Sequence, residues 1–255
     1  MPKKATEKKP EKKKETLPES IAGVASVLVS GLFIITFVLQ AFEIPTGSME
    51  NTLLIGDHVF VDRLSPTMKA AYVGPLMAYR KVRQGDIIVF LKPSEPGLYL
   101  VKRIIGLPGD RIHLRDGVVY RNGVALNEPY LNPDHGYPNG YRDNFPTVSP
   151  SGDLNVLPEW PLILREHVKD GELVVPPGNY FGMGDNRANS LDSRYWGFIP
   201  EENVIGRPLF TYWSFNTPSD QWTHNSWSER ISFMFHVVVH FFDGTRWNRM
   251  FRRVY

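Results

Sequence analysis

Residues 21–42 (IAGVASVLVSGLFIITFVLQAF) carry no charge, and only Ser26, Ser30, Thr36 and Gln40 interrupt their apolar character. An α-helix rises about 1.5 Å per residue, so a run of this length can cross a hydrocarbon core of about 30 Å. The segment reads as one transmembrane helix over 21–42. It is too long for the core of a cleaved secretory signal, and no small-x-small cleavage site precedes Glu43. Residues 1–20 hold seven Lys against four Glu and are too polar to fold alone. By the positive-inside rule this basic, disordered tail stays in the cytoplasm, and the chain from Glu43 onward lies on the outer side. The tail also accounts for the charge balance. The whole chain is +2 and the tail +3, so residues 21–255 are near neutral and lack the electrostatic footprint of a nucleic-acid partner.

Beyond the anchor the chain reads as mainly β. There are 21 Gly and 21 Pro, residues that interrupt helices and set turns. Seven β-branched or aromatic runs are expected as strands: 59–64, 86–91, 98–105, 111–114, 118–123, 171–175 and 179–184. The pairs Asp116-Gly117 and Asn122-Gly123 are hairpin signals. Residues 128–170 are rich in Pro, Gly and Asn, weakly patterned, and expected as an insertion or long loop. A second apolar run, 231–242 (ISFMFHVVVHFF), is too short to span a bilayer and has β-branched character. Its His236 and His240 are four apart, but the Glu of a HEXXH zinc motif is missing, so packing is the expected role. The absence of cysteine excludes a disulfide framework, a thiol nucleophile and thiolate metal ligation.

A few residues past the anchor stands IPTGSMENTL, with Ser48 between Gly47 and Met49. No G-x-S-x-G elbow surrounds it and no S-x-x-K follows it, so a base for Ser48 has to come from elsewhere. Lys102 is the candidate. Strand alternation puts it on one face with Leu98, Leu100 and Ile104, and Arg103 on the other. Burial among aliphatic groups disfavours the charged amine, and such a lysine can take a proton from Ser near neutral pH. A snorkelling strand lysine with its head in water is the alternative reading of the same spacing.

Four blocks in order, 44–57 (IPTGSMENTLLIGD), 85–90 (GDIIVF), 102–111 (KRIIGLPGDR) and 184–197 (GDNRANSLDSRYWG), follow the apolar run. Together they resemble the motif set of bacterial type I signal peptidases, also called leader peptidases. The resemblance implies a membrane-bound serine endopeptidase that removes signal peptides from exported preproteins after Ala-x-Ala-like sites. It needs neither cofactor nor metal. In that reading Ser48 is the acyl-forming nucleophile and Lys102 the general base. Thr46 supplies an oxyanion hydroxyl, Ser190 holds the lysine amine, and Asp185, Asp192 and Arg194 give structural support. Ile44, Pro45, Met49, Leu53, Leu100 and Val101 are carried over as walls of a shallow apolar pocket that favours Ala by excluding bulk. The implied fold is an antiparallel β catalytic core, residues 43–110 and 179–255, around a variable β insertion, 111–178. The implied partners are preproteins and the lipid bilayer, with no nucleic acid. The implied site is the outer side of the bacterial cytoplasmic membrane, where Phe233, Phe235, Phe241, Phe242 and Trp247 would face lipid or pack into the core. Ala188 departs from the family, which usually has Asp there; this weakens a loop hydrogen bond, with rate and loop order in question, but leaves Ser190, so the dyad geometry is expected to survive. Two rivals are a self-cleaving Ser-Lys regulator, disfavoured by the absence of a basic helix-turn-helix segment, and a catalytically altered envelope binding protein of the same fold.

Overall fold

The computed structural model describes residues 16–63, 80–95, 97–134, 136–150, 153–221 and 226–255. Residues 1–15 of the expected basic tail, and Leu64 at the end of the expected strand 59–64, lie outside them. Helix α1 (Leu17–Phe33) opens with a capping box between Thr16 and Glu19, in which the Thr16 N–H donates to the Glu19 carboxylate at 2.8 Å. It runs into a π-helical turn, Ile34–Val38, and ends there. Residues 39–42, expected as the end of a transmembrane helix, are instead part of strand β1 (Leu39–Glu43). β1 pairs with β2 (Asp57–Asp62) from Leu39↔Asp62 to Glu43↔His58. Apolar character alone does not choose between helix and strand, and here the partner strand supplies the backbone hydrogen bonds that decide it. Among the described residues no helix is long and apolar enough to cross a membrane. The 17 residues of α1 are nevertheless exposed, Val24, Leu28 and Leu32 among them.

The other strands follow as β3 (Ile87–Leu91), β4 (Tyr99–Gly106), β5 (Arg111–Arg115), β6 (Val118–Arg121), β7 (Val124–Ala125), β8 (Val168–Lys169), β9 (Glu172–Val174), β10 (Asn179–Met183), β11 (Ile199–Pro200), β12 (Val204–Ser214) and β13 (Arg252–Arg253). All seven expected strands form, and the architecture is mainly antiparallel β. The larger sheet has the order β1-β2-β12-β3-β4-β10-β11, with β13 also on β12; the smaller has the order β7-β6-β5-β9-β8. Both expected hairpin dipeptides adopt left-handed backbone, Asp116 and Gly117 at φ 48° and 80°, Asn122 and Gly123 at 52° and 78°. The longest strand, β12, was not expected. Pro208 interrupts its pattern, and its register shifts between Pro208 and Phe210 and again between Thr211 and Trp213.

One apolar core lies between the sheets, where Ile112, Leu114, Val119 and Leu173 of the smaller meet Ile88, Phe90, Ile104 and Phe181 of the larger. Helix α2 (Trp160–His167) adds Trp160 and Leu164 to it. A second core, inside the curl of the larger sheet, holds Ile44, Met49, Leu53, Val59, Val61, Ile87 and Val89. The run 231–242, noted for its β-branched character, lies largely in helix α3 (Trp227–Val239), which is nucleated by a capping box between Ser226 and Glu229 and followed by a single turn, Phe241–Gly244. Phe233 packs edge-on to Phe215 and Phe241 lies parallel to Trp213. Phe235, Phe242 and Trp247 are exposed.

Candidate active site

Thr46, in extended conformation, leads into a 3-10 turn, Gly47–Met49, that carries Ser48. Ile44 before the turn and Met49 and Leu53 after Ser48 are buried in the second core at 3%, 1% and 0% exposure, so the turn is anchored on both sides of its hydroxyl. A Cβ on Gly47 would lie 2.8 Å from the Glu50 carboxylate, so a side chain there would make Glu50 move. From the opposite wall comes Lys102, paired with Ile88 across β3 and β4. Its Nζ donates to Ser48 Oγ at 2.7 Å.

Lys102 is 2% exposed, and burial pushes its amine down to about 8. The Asp192 carboxylate opposes that shift and the Arg194 guanidinium assists it. Among the described residues no carboxylate pairs with Lys102. An amine in this state is unprotonated in roughly a tenth of molecules at pH 7 and can accept the proton of the hydroxyl it touches.

The loop after β10 closes the site. Gly184 lies so near the nucleophile that a Cβ would come within 2.3 Å of Ser190 Oγ and 2.4 Å of the Ser48 carbonyl oxygen. The Asn186 N–H donates to that carbonyl at 3.1 Å. Asp192 accepts from the Gly184 N–H at 3.1 Å and takes two contacts from the Arg194 guanidinium, both at 2.8 Å. Burial works against the charged Asp192 carboxyl, and Arg194 outweighs it and holds the group below its usual value. Asp185 takes Arg103 Nε at 2.8 Å and Nη2 at 2.7 Å, with the Thr52 hydroxyl donating at 2.5 Å.

The structure thus gathers Ser48, Lys102, Asp185, Ser190, Asp192 and Arg194, with Thr46 exposed at the entry to the turn. The Ser190 hydroxyl is buried but makes no hydrogen bond, so the implied contact with the Lys102 amine is not made in this structure. The carried-over pocket divides. Ile44, Met49, Leu53 and Val101 share the second core, whereas Leu100 packs on the core between the sheets and Pro45 is exposed. Adjacent strand residues face opposite ways, which is why Leu100 and Val101 cannot line one wall. Sequence reasoning missed Arg103 and Thr52 as partners of Asp185. The alternation that placed Lys102 also placed Arg103 on the other face, and that was the available signal.

Parts of β1 and β4 lie beside the dyad without a partner strand. β1 is the end strand of its sheet, and β10 pairs with β4 at Arg103, Ile104 and Gly106 but not at Tyr99, Leu100 or Val101. Among the described residues, two strand edges are therefore open near Ser48. The Phe42 and Tyr99 rings meet across them, 5.2 Å apart and edge to face.

Residues 17–213 match the family described as signal peptidase, peptidase S26. A signal peptidase I from Pseudomonas fluorescens is 32% identical over 207 residues, 75% of this chain and 71% of that protein. A probable signal peptidase I-2 from Synechocystis sp. is 32% identical over 212 residues, 79% and 78% of the two chains. A solved signal peptidase I from Enterococcus faecalis V583 is 34% identical and covers 50% of this chain and 97% of that one, with a TM-score of 0.38. Its overall superposition is poor, so kinship rests on the sequence matches. On these matches, the chain belongs to the signal peptidase family, peptidase S26.

Proposed function

We propose that this chain is a membrane-bound serine endopeptidase that cleaves signal peptides from exported preproteins with Ser48 and Lys102. The observation that carries the reading is the 2.7 Å contact between Ser48 Oγ and a buried amine lowered to about 8. An extended preprotein segment lies beside β1 and β4 and pairs with their open edges, as an added strand does. Small side chains suit the apolar surface at Ile44 and Val101, because it selects by excluding bulk.

Ser48 Oγ attacks the scissile carbonyl carbon while Lys102 takes the hydroxyl proton. The oxyanion needs donors already in place, and the Ser48 N–H and the Thr46 hydroxyl fill that role. As the tetrahedral intermediate collapses, the C–N bond breaks, Lys102 returns the proton to the departing amine, and the signal peptide is left as an ester on Ser48. Lys102 then takes a proton from water, which attacks the ester and restores the free Ser48.

The apolar, exposed α1 supports anchoring in the cytoplasmic membrane, with residues 1–15 on the cytoplasmic side and the sheets on the outer side. Trp227, Ile231, Phe235 and Val238 form one exposed stripe on α3 and support contact of the outer part with lipid. The division into a catalytic core, 43–110 and 179–255, and an insertion, 111–178, is supported by the membership of β5 to β9 in a separate sheet.

The test is cleavage of a preprotein bearing an Ala-x-Ala site, in lipid or detergent, by the intact protein, Ser48→Ala and Lys102→Met. Cleavage by the intact protein alone, with circular dichroism unchanged in both variants, is the expected result. Equal cleavage by all three contradicts the dyad.

A further inference from the structure

Residues 128–134 and Gly136 fall in the stretch that the sequence leaves weakly patterned, yet they reach both chain segments that build the dyad. The Glu128 carboxylate takes two contacts from the Arg187 guanidinium, at 3.0 and 2.5 Å, and both side chains are nearly buried. Arg187 Nε in turn donates to the Gly184 carbonyl at 3.0 Å. The Tyr130 hydroxyl donates to Glu128 at 2.6 Å, and the Arg103 guanidinium sits 3.8 Å over the Tyr130 ring. Asn51, held at φ 84°, donates its side-chain amide to the carbonyls of Tyr130 and Leu131 at 2.9 and 3.0 Å. The Asn132 N–H donates to the Asp185 carbonyl at 3.1 Å.

We propose that residues 128–134, with Gly136, are a strap that clamps the 184–190 loop against the nucleophile turn, and that Glu128 is a positioning residue for the dyad. The inference rests on the Ser48–Lys102 reading of the site. A paired Arg–carboxylate fixes orientation as well as distance, so Glu128 sets where Arg187 holds Gly184. Gly184 has no slack against Ser190 Oγ and the Ser48 carbonyl, and Asn186 is hydrogen-bonded to that same carbonyl. Any shift of the loop is therefore passed to Ser48.

The strap also accounts for Ala188. The Gly136 backbone lies against the Ala188 methyl, so closely that a Cβ on Gly136 would come within 2.9 Å of it. A longer side chain at 188 has to displace the strap. The loop that an Asp at this position would help to order is held from outside, by Glu128.

The test compares the full chain with Glu128→Gln and Ala188→Asp on an Ala-x-Ala preprotein. For Glu128→Gln, kcat falls about tenfold with KM within about twofold, because the defect is alignment and not binding. The acid limb of the pH profile moves upward, because a loosened loop admits water to Lys102 and weakens the burial that lowers its amine. Ala188→Asp also lowers kcat. Unchanged kcat and pH profile in Glu128→Gln, with only thermal stability reduced, would assign a merely structural role and overturn the proposal, as would a higher kcat in Ala188→Asp. Hydrogen exchange at the 184–190 amides reads the strap without turnover: it is faster in Glu128→Gln, and unchanged exchange sinks the strap even if the intact protein cleaves no preprotein, the outcome that would instead defeat the peptidase reading.

Discussion

Burial of Lys102 depends on a neighbour that gives up its own side chain. Gly182, on the adjacent β10, leaves the space: a Cβ there would press within 2.7 Å of Ile199 Cδ1 and 3.3 Å of Lys102 Cβ. Gly184 makes the same concession beside Ser48. Gly184→Ala therefore displaces either Ser190 or the Ser48 backbone, and a displacement of about 1 Å at a reacting centre costs roughly 100-fold in rate. The expected outcome is a folded protein with cleavage reduced by about that factor, read from initial rates beside a circular dichroism spectrum. The Arg103–Asp185 pair carries a different risk. Both groups are buried, and removing one charge leaves the other without compensation, which costs about 3–5 kcal/mol. Asp185→Asn should lower the urea midpoint accordingly, and a midpoint within error of the parent would show that the other contacts of Arg103, with the Gly85 and Tyr255 carbonyls, the Thr52 hydroxyl and the Tyr130 ring, satisfy it.

At the scale of elements, turns and faces carry separate predictions. The Asn122-Gly123 turn between β6 and β7 demands positive φ at both residues. Gly123→Ala puts a Cβ into left-handed backbone at a cost of about 1–2 kcal/mol. Because nothing lies within 4 Å of that position, the loss should appear in denaturant unfolding without a change in cleavage rate. The exposed stripe of α3 and the turn after it should act in lipid binding. Phe235→Asp with Phe242→Asp removes two large apolar side chains from contact, each contributing about 1.5–3 kcal/mol when fully buried. Partition into lipid vesicles should fall more than tenfold, while cleavage of a short soluble peptide stays as it was. Unchanged partition would remove α3 from the membrane-facing surface.

Across the whole molecule, what the sequence disclosed follows the range of the interactions concerned. Strand alternation and Asn-Gly or Asp-Gly turns are local, so the seven expected strands and both hairpins could be read directly. The end of the apolar run was misread because Leu39 to Phe42 become a strand only through pairing with β2, and β12 was hidden by Pro208 and its two register shifts. Ser48 and Lys102 stand 54 positions apart, and only the order of the blocks resembling a known family brought them together beforehand. The strap had no such help: Glu128 meets Arg187 across 59 positions and Asn51 meets Tyr130 across 79. No periodicity encodes contacts of that kind. In the proposed mechanism Lys102 is a base near neutral pH because the fold buries it. The most direct measurement is kcat/KM for preprotein cleavage against pH, which reports ionisations of the free enzyme. The reactive form is the unprotonated amine, and burial has lowered its value to about 8, so activity should rise about tenfold per unit below that pH and level off above it. A profile that is flat from pH 6 to 9, or that climbs only toward the ordinary lysine value of about 10.4, would contradict the claim.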